Sequence, residues 1–549
     1  MKRSLIILLY LFSLYCNGQV VNIVKIDSIT SDLHQSNLGR IIFMNRNIPL
    51  SDCTEADFLT TFQLKKDCDL NIRVFMDNSI TNYMHQLAPE LSEEELNRKG
   101  NYQFSFRVDH ILIYQENIHY GCGLKKSTTT TFRVPLIDSS GGDWWSVYLF
   151  ERFMANGGTQ ALTKGKHQLT IEMRPYVKVN EESDAMVGNL IASGSINLII
   201  KPVKISSKQI AIQLIDSNSG FERSQAKYNE KKIKELNKAI ALDEFKSITS
   251  IVVIKEGKLV LEEYFNNANR TTLHDTRSVG KSFTSTLMGI AIKEGYITNE
   301  NQTLSSFYKL DAFLNPSTQK DSIKLVDLLT MSSAFNGSDS NSESPGNEEN
   351  MYPTDNWVKF ALDLPIEENR ANGQKWNYFT AGVILLGDIL NKSVPEGLEQ
   401  YADKKLFKPL GIINYKWQYT PQNVVNTAGG LQMTSLELAK FGQLYKNNGE
   451  WNGQQILPSE WVKKTFTKQL QIPERTNEYY GYLFWNKAFV VDGKNYETFY
   501  CAGNGGNKIF VFKDVPLTIV ITAKAYNKSY GHSQVDKMMQ EYLLPSLLK

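Results

Sequence analysis

The chain is poor in the residues that build metal centres or disulfide frameworks. Its 549 residues include five cysteines and seven histidines. The histidines (His34, His85, His110, His119, His167, His274 and His532) are scattered, with no Cys-x-x-Cys and no His-Glu-x-x-His, so no metal is expected. An excess of charge of one sign is missing too. Lys+Arg number 60 against 58 Asp+Glu, for a formal net charge of +2. Nucleic acid or an anionic membrane surface would call for a clustered basic excess, so neither is an expected partner. No apolar run reaches the roughly 20 residues that a spanning helix needs, and no internal repeat is found.

What is present is a globular composition, with 42% hydrophobic and 11% aromatic residues. The N-terminus has Lys2 and Arg3, an apolar run over residues 5–15, and small residues near Gly18. This reads as a secretory signal over 1–18, cleaved after Gly18, which makes the mature protein exported, periplasmic or secreted. A lipid anchor on Cys16 is the alternative, disfavoured by the bulky Tyr15 before it. Cys53, Cys68, Cys122 and Cys501 remain. Export permits a Cys53–Cys68 disulfide, but spacing alone does not fix the pair.

Residues 19–216 carry short alternating runs at 103–108, 110–114, 128–134, 167–173 and 195–200. Turn clusters such as 139–143 and 156–158 separate them. Period-two patterning with β-branched residues predicts an antiparallel β domain, a sandwich in form. Trp144, Trp145, Tyr148 and Phe150 are candidates for a glycan or cell-wall contact face, against the competing reading that they pack in the core. After Pro202 the texture changes. A linker at 217–220 leads to a helical pattern through Tyr228, Ile233, Leu236 and Ile240, then to a hairpin at 251–262. Strands are expected at 508–512 and 517–522, and an amphipathic helix at 534–547. The second domain is therefore 217–549.

Three segments carry chemistry. The first is Ser278-Val279-Gly280-Lys281, opening a helix whose apolar residues Phe283, Leu287, Met288, Ile290 and Ala291 recur at helical intervals. Three residues make almost one turn, so Ser278 and Lys281 share a face. A serine hydroxyl needs a base to become a nucleophile, and a nearby lysine can serve. The second is Trp376-Asn377-Tyr378-Phe379-Thr380, a tyrosine in a loop before an apolar helix, placed to relay a proton. Trp376 either lines the acyl pocket or packs beneath it. The third is Tyr500-Cys501-Ala502-Gly503-Asn504-Gly505-Gly506, whose small residues let a strand edge approach a bound acyl group and offer a backbone N–H to an oxyanion, together with that of Ser278. A Ser-His-Asp arrangement is disfavoured: no Gly-x-Ser-x-Gly occurs, and His274 is expected to be structural. The polar, acidic stretch 336–350 reads as a mobile solvated loop or, alternatively, a gate over the site.

This order of motifs resembles that of serine β-lactamases and penicillin-binding proteins. The connecting text at 278–295, 328–333, 406–411, 427–431, 449–461 and 480–482 is most similar to the class C β-lactamase-related hydrolases. These include esterases, D-amino-acid peptidases and 6-aminohexanoate-oligomer hydrolases. The resemblance covers roughly 225–549. It implies an α+β fold, an antiparallel sheet flanked by helices with an added helical subdomain, and an acyl-serine intermediate without cofactor. By position it makes Ser278 the nucleophile, Lys281 the base or its electrostatic partner, and Tyr378 the proton shuttle. Thr380, Trp376, Ala502, Gly503 and Gly505 become the substrate-binding set. Two positions depart from the family. Tyr-x-Asn reads Tyr378-Phe379-Thr380, and Lys-Thr-Gly reads Tyr500-Cys501-Ala502, without a cation for a substrate carboxylate. The expected substrate is thus a small ester, linear amide or D-amino-acid peptide, with inefficient β-lactam hydrolysis. A receptor for cell-wall fragments or glycans, built on a hydrolase-like domain without turnover, is the competing function.

Overall fold

A computed structural model describes residues 22–548 apart from 66–67, 124–126, 140–143, 180–183, 202–203 and 217. The signal segment 1–18 with Cys16, most of the turn at 139–143, and Ser217 of the linker lie outside the described residues. The chain divides into two compact units, Met1–Lys204 and Ile205–Lys549.

The first unit holds two sheets around one core. A three-stranded sheet has the order β1 (Ile41–Met44), β3 (Leu70–Phe75), β6 (Thr131–Ile137). A larger one runs β2 (Thr61–Leu64), β9 (Ala192–Ile200), β7 (Gly165–Val177), β4 (Gly100–Val108), β5 (Ile111–Asn117), with β8 (Met186–Val187) beside β7. All pairings are antiparallel except β2 with β9. Alternate residues Tyr102, Phe104 and Phe106 of β4 and Leu169, Ile171 and Met173 of β7 meet Phe43, Ile72, Val74, Phe132 and Val134 of the smaller sheet. That is the two-layer packing a period-two pattern calls for. Helices the alternating pattern did not signal are added, among them Trp145–Phe153. That helix divides the aromatic cluster. Trp145 packs 5.8 Å from Phe104 and Phe150 is buried, whereas Trp144 stays 42% exposed. Cys53 and Cys68 are not joined to each other: Cys53 Sγ lies 3.8 Å from Met44 Sδ, and Cys68 Sγ donates to Lys65 O at 3.1 Å.

The second unit is built on an eight-stranded antiparallel sheet. Its strands are β10 (Ile248–Lys255), β11 (Lys258–Tyr264), β12 (Leu470–Gln471), β13 (Tyr479–Tyr480), β14 (Trp485–Val491), β15 (Lys494–Gly503), β16 (Asn507–Phe512) and β17 (Leu517–Ala523). The spatial order is β11-β10-β17-β16-β15-β14-β13-β12. The central strands are apolar on both faces because both are covered. Ile251, Val253, Ile519 and Ile521 pack with α1 (Glu230–Ala241) and α6 (Tyr530–Met538). Val252, Ile254, Ile509 and Val511 share a core with α2 (Gly280–Lys293), α3 (Trp357–Asp363), α4 (Thr380–Ser393) and α5 (Ser435–Lys446). Helix α2 is buried all round from Gly280 to Ala291, so it is the central helix of that layer, with Phe283 stacked on Phe441 at 3.7 Å.

Candidate active site

Ser278 sits in a 3-10 turn, Arg277–Val279, that runs directly into α2. Arg277 before it takes φ 50°, a left-handed conformation that turns the chain sharply into the helix. One turn on, the Lys281 side chain is 2% exposed. Its Nζ donates to Ser278 Oγ at 2.9 Å and to Ala428 O at 2.7 Å. A buried ammonium or amine needs such partners, and two of them fix the nitrogen at the hydroxyl.

Tyr378 closes the array from the loop before α4. Its ring centre is 5.2 Å from Lys281 Nζ, and its phenol faces the Ser278 side chain. Burial pushes the phenol above its usual value, against the pull of Lys281 and Ser278, so it is a neutral proton donor at physiological pH. The ring stacks on Trp485 at 5.7 Å and 25°. Trp376 joins this wall, 5.5 Å from Trp485 and 5.7 Å from Tyr480. Trp485 was missed by sequence reasoning; the signal was its place three residues beyond Tyr482, in a run of aromatics. Thr380, at the start of α4, is 1% exposed, and its N–H donates to Asp339 Oδ2 at 2.7 Å.

Of the small residues at 500–506, Gly503 is the one that touches the turn of Ser278. A Cβ there would stand 2.1 Å from Thr276 O and 3.2 Å from Ser278 N. Only glycine lets the end of β15 approach so closely. Gly503→Ala should therefore displace the Ser278 turn, lowering kcat by about 100-fold, the scale of a lost oxyanion donor. It should also destabilise by about 1–3 kcal/mol through overpacking. Steady-state kinetics and thermal melting read both effects; unchanged values would show that the turn gives way freely. Ala502 points to the opposite face, with the core of α1 and α6. Gly505, at φ 89°, packs on the Tyr526 ring. Cys501 faces the α2 layer, where burial pushes its thiol up to about 12, so it is inert.

Two lysines stand near this strand. Lys508, paired across from Ala502, and Lys487 lie 5.4 and 5.1 Å from the Tyr500 ring centre, and both are bound to Asp536, at 2.7 and 2.6 Å. Burial lowers Lys508 to about 8. His274 is buried against Ser435 Oγ (3.0 Å) and Thr249 Oγ1 (3.3 Å), and desolvation lowers it to about 4, so it is a neutral core residue. Among the described residues, no three His, Cys, Asp or Glu side chains are gathered to hold a metal.

Segment 336–350 differs from the mobile solvated loop its composition suggested. Ser344 and Asn347 are buried, and Asn347 Nδ2 donates to the carbonyls of Ser338, Asp339 and Asn341. Polar residues here satisfy the segment's own backbone, so a hydrophilic composition folds without an apolar core.

The β-lactamase family profile matches residues 247–538, over half of the chain. The chain belongs to the β-lactamase family. It is accordingly a serine hydrolase of the β-lactamase type. A curated relative, an uncharacterized protein of Alkalihalophilus pseudofirmus, is 24% identical over 259 residues, 42% of this chain and 67% of the relative. Among solved structures, a penicillin-binding protein homologue from Pyrococcus abyssi is 20% identical with TM-score 0.44, covering 56% of this chain and 75% of its own. A family VIII carboxylesterase is 15% identical with TM-score 0.45, covering 59% and 98%. A D-stereospecific amidohydrolase from Streptomyces is 16% identical with TM-score 0.41, covering 53% and 92%. The profile match of this β-lactamase-family chain lies within the second unit. Among the described residues no helix is long and apolar enough to cross a membrane.

Proposed function

We propose that this β-lactamase-family protein is an exported hydrolase that cleaves a small ester, linear amide or D-amino-acid peptide through an acyl-Ser278 intermediate. The array of Lys281, Ser278 and Tyr378 carries this reading: the lysine nitrogen is bonded to the serine hydroxyl, and the phenol faces the same hydroxyl with its ring over that nitrogen. In it, Ser278 Oγ adds to the substrate carbonyl carbon while its proton passes to the Lys281–Tyr378 pair. Collapse expels the leaving oxygen or nitrogen, which takes a proton from the Tyr378 phenol. Water then adds to the acyl ester by the same relay, and Ser278 recovers its proton. The Ser278 N–H, beside Gly503 at the end of β15, supports the oxyanion.

The surroundings favour a neutral, apolar substrate over a β-lactam. Trp376, Tyr480 and Trp485 beside Tyr378 form an apolar wall that suits an alkyl or aryl group. The hydroxyl of Thr380 stands where the family has an amide, and residues 500–502 bring no cation. Export rests on the charged and then apolar N-terminus alone. A non-turnover receptor is disfavoured by the complete array, and steady multiple turnover would dispose of it.

The test is to quench the protein during turnover of p-nitrophenyl butyrate and map the acylated peptide by mass. The acyl mass is expected on Ser278, with nitrocefin turned over far more slowly than the ester. Acylation elsewhere, or no turnover of esters, amides or D-alanyl peptides, overturns the reading.

A further inference from the structure

Asp339 is the carboxylate at this site that the relay above leaves unused. It belongs to segment 336–350 and ties that segment to the tyrosine loop. Its N–H donates to Tyr378 O at 2.9 Å. Its Oδ2 accepts the Thr380 N–H at 2.7 Å, and its Oδ1 accepts the Glu348 N–H at 2.9 Å. One residue thus grips the chain at Tyr378 and again two positions later, at the first residue of α4. The Glu348 bond, at the start of Glu348–Met351, anchors the grip to the rest of the segment.

We propose that Asp339 is the positioning residue of this site, its carboxylate clamping the Tyr378 loop so that the phenol is presented to Ser278 and Lys281. The proposal rests on the reading of Tyr378 as proton shuttle and deepens it. A charged acceptor holds two N–H donors more firmly than a neutral carboxyl, which has lost its charge and turned one oxygen into a donor. The groups that face Asp339 are Lys281 from α2, Tyr378 from the loop before α4, Glu348 from its own segment and Tyr352 just beyond it. Burial and the Glu348 carboxylate hold the Asp339 carboxyl up at about 6, against the pull of Thr380 and Lys281. The clamp therefore closes as the pH rises through about 6. Stability runs the other way. The raised carboxyl keeps its proton in the native state between 3.8 and about 6, so this group's contribution to stability falls as the pH rises across that window. The form that works is the less stable one.

The test compares the full-length wild type with Asp339→Asn and Glu348→Gln, using p-nitrophenyl acetate across pH. In the wild type kcat should fall below pH about 6. Asp339→Asn should lower the plateau kcat by about ten-fold, a fraction of what general acid–base catalysis supplies, with KM nearly unchanged and the acid limb gone. Glu348→Gln removes a neighbouring negative charge, so its limb should move to lower pH with the plateau kept. It keeps the proposal falsifiable if Asp339→Asn does not fold. Tryptophan fluorescence is the readout independent of turnover, because Trp376 and Trp485 contact the Tyr378 ring. A transition near 6 is expected in the wild type, absent in Asp339→Asn and displaced in Glu348→Gln. If the wild type neither turns over nor is acylated, the hydrolase reading fails by itself and fluorescence still decides the clamp. An unchanged acid limb, or an unchanged fluorescence transition, in both variants overturns the clamp.

Discussion

Ser278→Ala should lower kcat for every ester the wild type hydrolyses by about 10⁴-fold or more, the scale at which serine hydrolases fail without their nucleophile. Labelling by a fluorophosphonate probe should vanish with it. The Oγ accepts from Lys281 and meets the Tyr378 phenol, so one atom organises the whole array. Removing it leaves Lys281 Nζ still bonded to Ala428 O. The folded state should therefore lose only about 1 kcal/mol, a single net hydrogen bond. A melting temperature close to the wild type beside abolished labelling would locate the chemistry. Equal labelling of both proteins would remove Ser278 from it.

Lys281→Met separates function from stability more sharply. Methionine fills much the same volume as the buried lysine stem but can neither accept nor donate the proton, so kcat should fall by about 10³-fold, the scale of an acid–base group. Replacing a buried ionisable group by an apolar one of similar size is often neutral or stabilising, and the melting temperature should hold or rise. Lys281 is buried in α2, where an ionisable side chain is costly to hold. Full activity in Lys281→Met would reassign the base.

The sequence placed Ser278 and Lys281 together for a local reason: they are one helical turn apart and share a face. Tyr378 is remote from them in the chain, and the order of motifs shared with β-lactamases and penicillin-binding proteins is what pointed to it. The β-lactamase-type domain was legible through that same resemblance. Trp485 and Asp339 were not legible, because their roles come from contacts between segments far apart in the chain. Asp339 sits in a polar stretch whose order comes from hydrogen bonds among its own residues, and composition cannot tell such a stretch from a solvated loop. The helices of the first unit were hidden for a related reason: Trp145–Phe153 is short, and its aromatics serve a core shared with two sheets.

The place of β17 has a consequence for synthesis. In the eight-stranded sheet it lies between β10 and β16, and it pairs with β10 along residues 248–255. Strand β10 leaves the ribosome with one neighbour, β11, and waits for residues 517–523 before its other edge is covered. The catalytic unit cannot close its central sheet during elongation, because such long-range pairing forms only once both partners exist. Until then β10 presents an apolar open edge, the surface on which holdase chaperones act and where aggregation starts. A nascent chain stalled before residue 517 should stay protease-sensitive across β10, however far its N-terminal unit has folded.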